Sequence, residues 1–199
     1  RPGMLNAREF SHRLLQEVIT PASTVIDATA GNGHDTLFLA RLAPAGRVYA
    51  FDIQAAAIEQ TRQRLARHAL AWPAEPAAPV TLIHDSHARL DRHLPADEAV
   101  CAAIFNLGYL PGSDKSVITQ GESTWRAVES IQARLRPGGR IAIVAYHGHD
   151  GGADEMALLQ RRLAALDARQ WQVLQYQFIN QPNCPPVCFG ISKKAPERG

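Results

Sequence analysis

A segment rich in glycine carries the first group of residues that could do chemistry. It reads DATAGNGHD over residues 27–35 and follows a short β-branched run typical of a buried strand. Gly31 and Gly33 allow a sharp turn from strand to helix and a close approach of a ligand to the backbone. Asp27 and Asp35 flank this turn and place negative charge beside it. The segment therefore predicts a ligand site that favours a cationic group.

A second carboxylate follows at the spacing that a nucleoside site requires. Asp52 comes 19 residues after Gly33, where a second strand ends. A carboxylate at this position accepts hydrogen bonds from both hydroxyls of a ribose. Gln54 lies two residues further on and is expected to line an adenosine pocket. The glycine turn and Asp52 together predict a nucleoside-containing cofactor.

Two cofactors compete for this site. A nicotinamide dinucleotide favours a third Gly or Ala where Thr36 stands and a helix N-terminus free for its pyrophosphate. S-adenosylmethionine has no phosphate, and its ammonium and sulfonium groups are attracted by Asp27 and Asp35. The residues favour S-adenosylmethionine, and an oxidoreductase that uses a nicotinamide cofactor stays as the alternative.

The segment after the fourth predicted strand provides groups that could hold an amine. It reads NLGYLPG from Asn106, whose side-chain amide offers one acceptor and one donor. Tyr109 offers a flat face on which a planar base could stack. His147 lies in the segment YHGHDGG after the fifth predicted strand. Asn106 and Tyr109 are predicted to position an acceptor amine, and Asp35, Tyr109 and His147 are unranked candidates for accepting its proton.

The pattern of the chain predicts the scaffold for these groups. Apolar strands and amphipathic helices alternate five times, which indicates a parallel sheet with helices on both faces. The last two strands have no helix between them and predict an antiparallel hairpin at one edge. The expected fold is a Rossmann-like α/β sheet, and an open parallel sheet that ends in such a hairpin resembles the class I methyltransferase architecture. Residues 1–199 are expected to form one domain, with an N-terminal helix within 1–20 and the catalytic sheet and helices in 22–199. The predicted strands are 24–28, 47–53, 80–84, 99–105, 140–146, 170–179 and 187–193.

Composition excludes several classes of protein. Of the 199 residues, 46% are hydrophobic and 20% are charged, which suits a globular core, and a net charge of +2 excludes a strongly basic nucleic-acid arm. Cys101, Cys184 and Cys188 are too few and too scattered for a disulfide framework, so we expect a cytoplasmic protein. The sequence contains no apolar run of about 20 residues, so we expect no membrane span.

Histidines occur in two close pairs, at 84 and 87 and at 147 and 149. Neither pair has a cysteine partner or the helical spacing of four residues that many metal sites use. Cys184 and Cys188 could form half of a zinc site, but the sequence offers no second half. We therefore expect no metal.

Taken together, six segments resemble one known family. They are DATAGNGHDTLFLA, FDIQ, HDSHARL, NLGYLPGSDKSVIT, YHGHDGG and FINQPNCPP. The chain resembles the bacterial tRNA 5-aminomethyl-2-thiouridine methyltransferases, long labelled as rRNA methylases, from about Phe10 to Lys194. Asn106-Leu-Gly-Tyr109 also loosely resembles the Asn-Pro-Pro-Tyr motif of amino-methylating enzymes.

The resemblance implies a specific reaction. A methyl group passes from S-adenosylmethionine to the primary amine of a 5-aminomethyl group on the wobble uridine of tRNA, so the partner is the anticodon stem-loop. The cofactor contacts carried over by resemblance are Asn32, Asp52, Gln54, Ser86 and His87, beside the turn residues Asp27, Gly31 and Gly33 and the nearby Asn106. A homodimer is compatible with the sequence. The alternatives are methyl transfer to rRNA, a protein or a small-molecule amine, and an RNA-binding module without catalysis.

Overall fold

The computed structural model describes residues 3–108, 120–148 and 150–196. Helices and strands alternate along most of this chain, as the sequence predicts. The helices are α1 (Ala7–Gln16), α2 (His34–Leu42), α3 (Ala55–Ala71), α4 (Gln120–Arg134) and α5 (Gly152–Ala164), with a short 3₁₀ helix at His87–Arg92. The strands are β1 (Thr24–Asp27), β2 (Arg47–Asp52), β3 (Val80–His84), β4 (Val100–Leu107), β5 (Leu135–Ala145), β6 (Trp171–Tyr176) and β7 (Val187–Lys193).

These strands form one twisted sheet in the order β3-β2-β1-β4-β5-β7-β6. The first five are parallel, whereas β7 runs antiparallel to both β5 and β6. The predicted mixed sheet with an antiparallel C-terminal hairpin is thus confirmed. Strand order reverses between β1 and β4, and ligands of open α/β sheets bind at the carboxyl ends of the strands beside such a point.

Apolar side chains on both faces of the central strands explain the layered core. Phe51, Phe105, Ile143 and Phe189 are buried beneath the layer that contains α4 and α5. The opposite face buries a second cluster with residues of α1 and α2, including Leu15 and Leu39. Burial on both faces is what the near-continuous hydrophobic runs of these strands require.

A capping box fixes the start of α1. The Asn6 side chain accepts a hydrogen bond from the Glu9 backbone N–H at 2.8 Å, and the Glu9 carboxylate accepts one from the Asn6 N–H at 3.1 Å. The helix packs against β5 and β7, and the Tyr176 hydroxyl donates to the Leu5 carbonyl at 2.6 Å. The N-terminal helix is therefore held against the sheet near the glycine turn.

Several element boundaries differ from the sequence prediction, and β6 ends at Tyr176 instead of residue 179. The sequence pattern over 86–94 favours a helix, but the structure has only a short 3₁₀ helix there, in which Arg89 has non-helical dihedral angles and the Ser86 hydroxyl accepts the Ala88 N–H at the start. Strand β5 begins at Leu135 instead of Arg140, since Leu135 already pairs with Val100 and the chain then bulges before regular pairing resumes.

Candidate active site

The glycine turn packs tightly against α3. Gly31 and Gly33 have φ values of +56° and +89°, which other residues rarely adopt. A Cβ at position 33 would lie 2.8 Å from the Thr61 Cα on α3, which is closer than such atoms approach. The Thr61 hydroxyl donates to the Gly31 carbonyl at 3.2 Å. Glycine at 33 is therefore required by the packing of the turn, whereas a Cβ at 31 would meet only the Thr29 carbonyl, at 3.8 Å.

Asp52 lies at the end of β2 with both carboxylate oxygens anchored. One oxygen accepts the Gly31 N–H at 3.0 Å, and the other accepts the Gln54 N–H at 2.9 Å. Each oxygen has a further lone pair, so the carboxylate can still accept two hydrogen bonds from a ligand. This arrangement fits the pair of hydroxyls on a ribose and joins the three predicted positions into one group.

Asp27 is fully buried beneath the turn. Its carboxyl oxygens accept hydrogen bonds from the Thr29 N–H at 3.0 Å and the Thr36 hydroxyl at 2.6 Å. Burial, followed by the nearby Asp35 carboxylate, raises the pKa of Asp27 to about 7. The group therefore titrates near neutral pH, at a position that sequence reasoning treated as a fixed negative charge.

This raised pKa predicts how stability depends on pH. From about pH 4 to 7 Asp27 ionises in the unfolded chain while the folded protein keeps its proton, so stability falls as pH rises through this window. Asp27→Asn keeps the shape: its amide oxygen accepts the Thr29 N–H, and its NH₂ donates to the Thr36 hydroxyl once that hydroxyl rotates to accept. The substitution should therefore remove this slope and stabilise the protein by roughly 1–4 kcal/mol at pH 8. Urea unfolding at a series of pH values measures the effect. The exposed Asp97→Asn is the matched control, and an unchanged slope in Asp27→Asn would contradict the assignment.

Asp35 has partners on α1 that sequence reasoning missed. Its carboxylate accepts a hydrogen bond from His12 Nε2 at 2.7 Å, and Arg8 Nε lies 4.0 Å away. The His12 ring stacks on Phe38 with ring centres 3.8 Å apart. Only 6% of the Asp35 side chain is exposed. The N-terminal helix thus compensates part of the negative charge that the sequence assigns to the turn.

The turn after β3 approaches the end of β1. His87 Nδ1 donates to the Ala28 carbonyl at 2.9 Å, and its ring packs edge-on against Phe105. Burial lowers the pKa of His87, which favours the neutral ring, and the Ala28 carbonyl partner requires a proton on Nδ1. The Ser86 hydroxyl accepts the Ala88 N–H at 3.1 Å. Both predicted cofactor contacts therefore border the same strand end as Asp27.

Asn106 is tied directly to the glycine turn. Its backbone N–H donates to the Thr29 hydroxyl oxygen at 2.7 Å, and Thr29 in turn donates its own N–H to Asp27. On the other side of the turn, the Asn32 carbonyl accepts a hydrogen bond from Arg64 Nε at 2.8 Å. The predicted acceptor residue and the predicted cofactor turn are thus adjacent.

The other candidate acceptor residues are not joined to this group. His147 Nε2 donates to the Pro185 carbonyl at 3.2 Å, in the loop before β7. Over the described ranges, no hydrogen bond links the His147 side chain with Asp35 or with Asn106. Tyr109 and His149 lie outside the described residues.

Sequence reasoning missed three threonines at this site. Thr29 links Asp27 to Asn106, Thr36 donates to Asp27, and Thr61 supports the turn from α3. The sequence does single out Thr61, because it is the only β-branched polar residue in α3, a helix otherwise rich in Ala, Gln and Arg. The contacts of Thr61 with Gly31 and of Thr29 with Asn106 join residues 30 and 77 positions apart, so no local pattern encodes these two.

Among the residues that the structure describes, no three His, Cys, Asp or Glu side chains gather in a way that could hold a metal ion. In the same part of the chain, no helix has the length and apolar character needed to cross a membrane.

Comparison with known proteins identifies relatives over nearly the whole chain. A curated relative from Arabidopsis thaliana, "tRNA (mnm(5)s(2)U34)-methyltransferase, chloroplastic", is 36% identical over 96% of this chain and 71% of its own length. A solved structure from Streptococcus mutans, described as "a putative methyltransferase" in complex with SAH, is 40% identical with a TM-score of 0.83, over 96% of this chain and 99% of the other. A second structure, described as a "putative rRNA-methylase" from Clostridium thermocellum, is 39% identical with a TM-score of 0.85, over 96% of this chain and 99% of the other.

A family model provides the last comparison. The model described as "Putative rRNA methylase" matches residues 48–192, which cover β2 through most of β7. This match and the three relatives confirm the resemblance indicated by the sequence motifs and the predicted fold. The chain therefore belongs to this methylase family and has the fold of the class I, S-adenosylmethionine-dependent methyltransferases.

Proposed function

We propose that this protein transfers a methyl group from S-adenosylmethionine to the amine of 5-aminomethyl-2-thiouridine at the tRNA wobble position. One observation carries the proposal. Thr29 joins the cofactor turn to Asn106, so a site for a nucleoside cofactor lies directly beside a side-chain amide that can hold an amine. The Arabidopsis relative is named for this tRNA activity.

The residues of the cleft fit S-adenosylmethionine. Asp52 offers two anchored oxygens for the ribose hydroxyls, and Gly31 leaves the backbone of the turn open to a ligand. Gln54, His87 and Ser86 border the same strand ends and are proposed adenosine contacts. When bound, S-adenosylmethionine supplies a methyl group activated by its sulfonium.

The protein's part in the reaction is alignment. The Asn106 amide oxygen would accept a hydrogen bond from the neutral amine. This hydrogen bond would orient the lone pair of the amine nitrogen toward the methyl carbon. Holding two reactants in line accounts for a large share of the rate in such displacements. Asp35, Tyr109 and His147 remain the proposed proton acceptors. The Asp35 carboxylate already accepts a hydrogen bond from His12, so a proton taken up by Asp35 would be shared between the Asp35 and His12 side chains.

The same proposal covers the domain organisation, the RNA partner and the cellular compartment of the enzyme. We propose one catalytic domain over residues 1–199 that acts on the anticodon stem-loop in the cytoplasm, with a homodimer as a compatible form. Cys101, Cys184 and Cys188 are free thiols, which suits a reducing compartment. The packing of α1 on β5 and β7 supports a single domain.

An acceptor other than tRNA is the competing proposal, and the family description favours rRNA. Incubation of the purified protein and S-adenosylmethionine with tRNA and with rRNA from cells lacking the protein separates the two. We expect nucleoside mass spectrometry to show 5-aminomethyl-2-thiouridine converted to its methylaminomethyl form in tRNA. RNA from cells that contain the protein should show no further conversion. Methylation of rRNA or of free amines with none in tRNA would overturn the proposal.

A further inference from the structure

Two arginines from different helices converge on the glycine turn. Arg64 of α3 donates from Nε to the Asn32 carbonyl at 2.8 Å. Arg8 of α1 places its Nε 4.0 Å from the Asp35 carboxylate. Asn32 and Asp35 are three positions apart in the chain, so both guanidinium groups border one short segment. The exposed His34 belongs to the same segment, and we call Arg8, His34 and Arg64 the cationic rim.

Both arginines keep donors that a ligand can reach. Arg64 uses only its Nε, and within the described part of the chain its two Nη groups have no hydrogen-bond partner and are not buried. The Arg8 guanidinium makes no hydrogen bond among the same residues, because 4.0 Å from Asp35 is an ion-pair distance only. Of the Arg8 side chain, 43% is exposed. Each guanidinium can therefore form the paired N–H···O bonds with which arginine holds a phosphate.

The nearby carboxylate does not neutralise both charges. Asp35 accepts a hydrogen bond from His12 at 2.7 Å, so its negative charge acts on that ring as well as on Arg8. Arg64 has no carboxylate at ion-pair distance in the ranges that the structure describes. The cationic rim therefore carries more positive than negative charge.

The effect of this charge is visible at His34, the first residue of α2. Partial burial, followed by the charges of Arg64 and then Arg8, lowers the pKa of His34, and the opposite effect of Asp35 is the smallest contribution. The two guanidinium groups thus act on the same exposed point. Cations gathered in this way repel one another, and an anion bound among them would offset the repulsion.

The cationic rim is continuous with the proposed methyl-transfer site. Gly31, next to Asn32, donates its N–H to Asp52 at 3.0 Å, and the Thr29 hydroxyl accepts the Asn106 N–H at 2.7 Å. An anion at the rim would therefore lie beside both the proposed cofactor and the proposed acceptor amide. RNA carries one phosphate per nucleotide, so a nucleoside in the site brings its flanking phosphates to the surrounding surface.

We propose that the cationic rim binds the phosphate backbone of the anticodon stem-loop, with Arg8 and Arg64 each holding a phosphate. This inference rests on the RNA substrate that the proposed function names. Phosphate contacts position a nucleic acid without reading its sequence, so the rim orients the loop while the cleft accepts the wobble base. The net charge of the chain is only +2, so this attraction comes from the local excess of positive charge.

The test measures binding of a synthetic anticodon stem-loop RNA by fluorescence anisotropy at several salt concentrations, without methyl transfer. Arg64→Met and Arg8→Met should each weaken binding about tenfold, because a charged hydrogen bond to phosphate is lost. Each should also reduce the slope of log affinity against log salt concentration by about 0.7 to 0.9, the value for one phosphate contact. Arg8 does not contact the backbone of the turn, so Arg8→Met should keep the calorimetric affinity for S-adenosylmethionine.

Substitution of His34 tests the same surface by a gain of binding. His34→Lys adds a permanent positive charge beside the two arginines and should tighten RNA binding about threefold with a steeper salt dependence. His34→Gln should bind RNA as the wild type does, because the lowered pKa already favours a neutral ring. This pair also decides the question if Arg64→Met loses its structure together with its bond to Asn32.

An arginine far from the rim provides the matched control. Arg136 is exposed near the amino end of β5, whereas the glycine turn follows the carboxyl end of β1. Arg136→Met removes the same charge from the chain, so it should change neither the RNA affinity nor its salt dependence.

The outcomes distinguish this inference from the proposed function. An unchanged salt slope in both arginine variants, an equal loss of affinity in Arg136→Met, or no difference between His34→Lys and His34→Gln would overturn the role of the rim. If the wild type still converts the tRNA nucleoside, the proposed function survives that result. Reduced salt slopes in the arginine variants of a protein that methylates no tRNA would instead support the rim and overturn the proposed reaction.

Discussion

Replacement of Asn106 with alanine is expected to lower kcat for methyl transfer about 100-fold, the loss typical of a misplaced reacting group. The backbone N–H of Asn106 holds Thr29 whatever the side chain, so the cofactor turn should keep its structure. The affinity for S-adenosylmethionine should therefore stay near that of the wild type. Single-turnover rates with saturating RNA and calorimetry of cofactor binding measure the two quantities separately.

A carboxylate at the same position gives a sharper test. Asn106→Asp keeps an acceptor oxygen, but its charge favours the ammonium form of the substrate, which has no lone pair for attack. The pH–rate profile of this variant should move to higher pH. The matched control is Asn180→Ala, which removes an exposed asparagine from the loop after β6. Equal loss of rate and cofactor affinity in Asn106→Ala would show that the residue supports the turn instead of the amine.

The parts of this site that the sequence predicts are those with local causes. Gly31 and Gly33 follow β1 because a strand-to-helix turn needs positive φ, and Asp52 ends β2 at the expected spacing. The strand ends of a parallel sheet meet at one edge, so an alternating pattern places Asn106 near them without any knowledge of contacts. Periodicity and turn chemistry are therefore sufficient for the scaffold and for placing Gly31, Gly33, Asp52 and Asn106 at one edge of the sheet; that these residues bind a cofactor stays a prediction.

The remaining features depend on contacts between distant segments. The hydrogen bond between His12 and Asp35 forms only when α1 packs against the sheet. The pKa of Asp27 is raised only when the folded chain buries its carboxyl group. Leu135 joins β5 because Val100 is available as a partner. Each effect depends on tertiary packing, which the pattern of a single segment does not encode. Formal charges counted from the sequence consequently overestimate the negative charge that Asp27 and Asp35 place beside the glycine turn.

Replacement of Asp52 with alanine is expected to weaken S-adenosylmethionine binding at least about 100-fold, because two hydrogen bonds to a charged acceptor are lost. The Gly31 and Gln54 N–H groups also lose their partner, which loosens the glycine turn proposed to hold the cofactor. Asp52→Asn should weaken S-adenosylmethionine binding nearly as much, because its NH₂ group would face one of these two N–H donors.

The kinetic signature distinguishes Asp52 from Asn106. A ribose contact remote from the transferred methyl stabilises ground state and transition state alike, so Asp52→Ala should raise KM for S-adenosylmethionine and leave kcat nearly unchanged at saturation. Asn106→Ala should lower kcat and leave KM for S-adenosylmethionine nearly unchanged. Asp97→Ala, which removes an exposed carboxylate before β4, is the matched control, and urea unfolding excludes a general loss of structure. If Asp52→Ala lowered kcat with KM unchanged, the carboxylate would act on the reacting groups, and the assignment of this cleft to the ribose would fail.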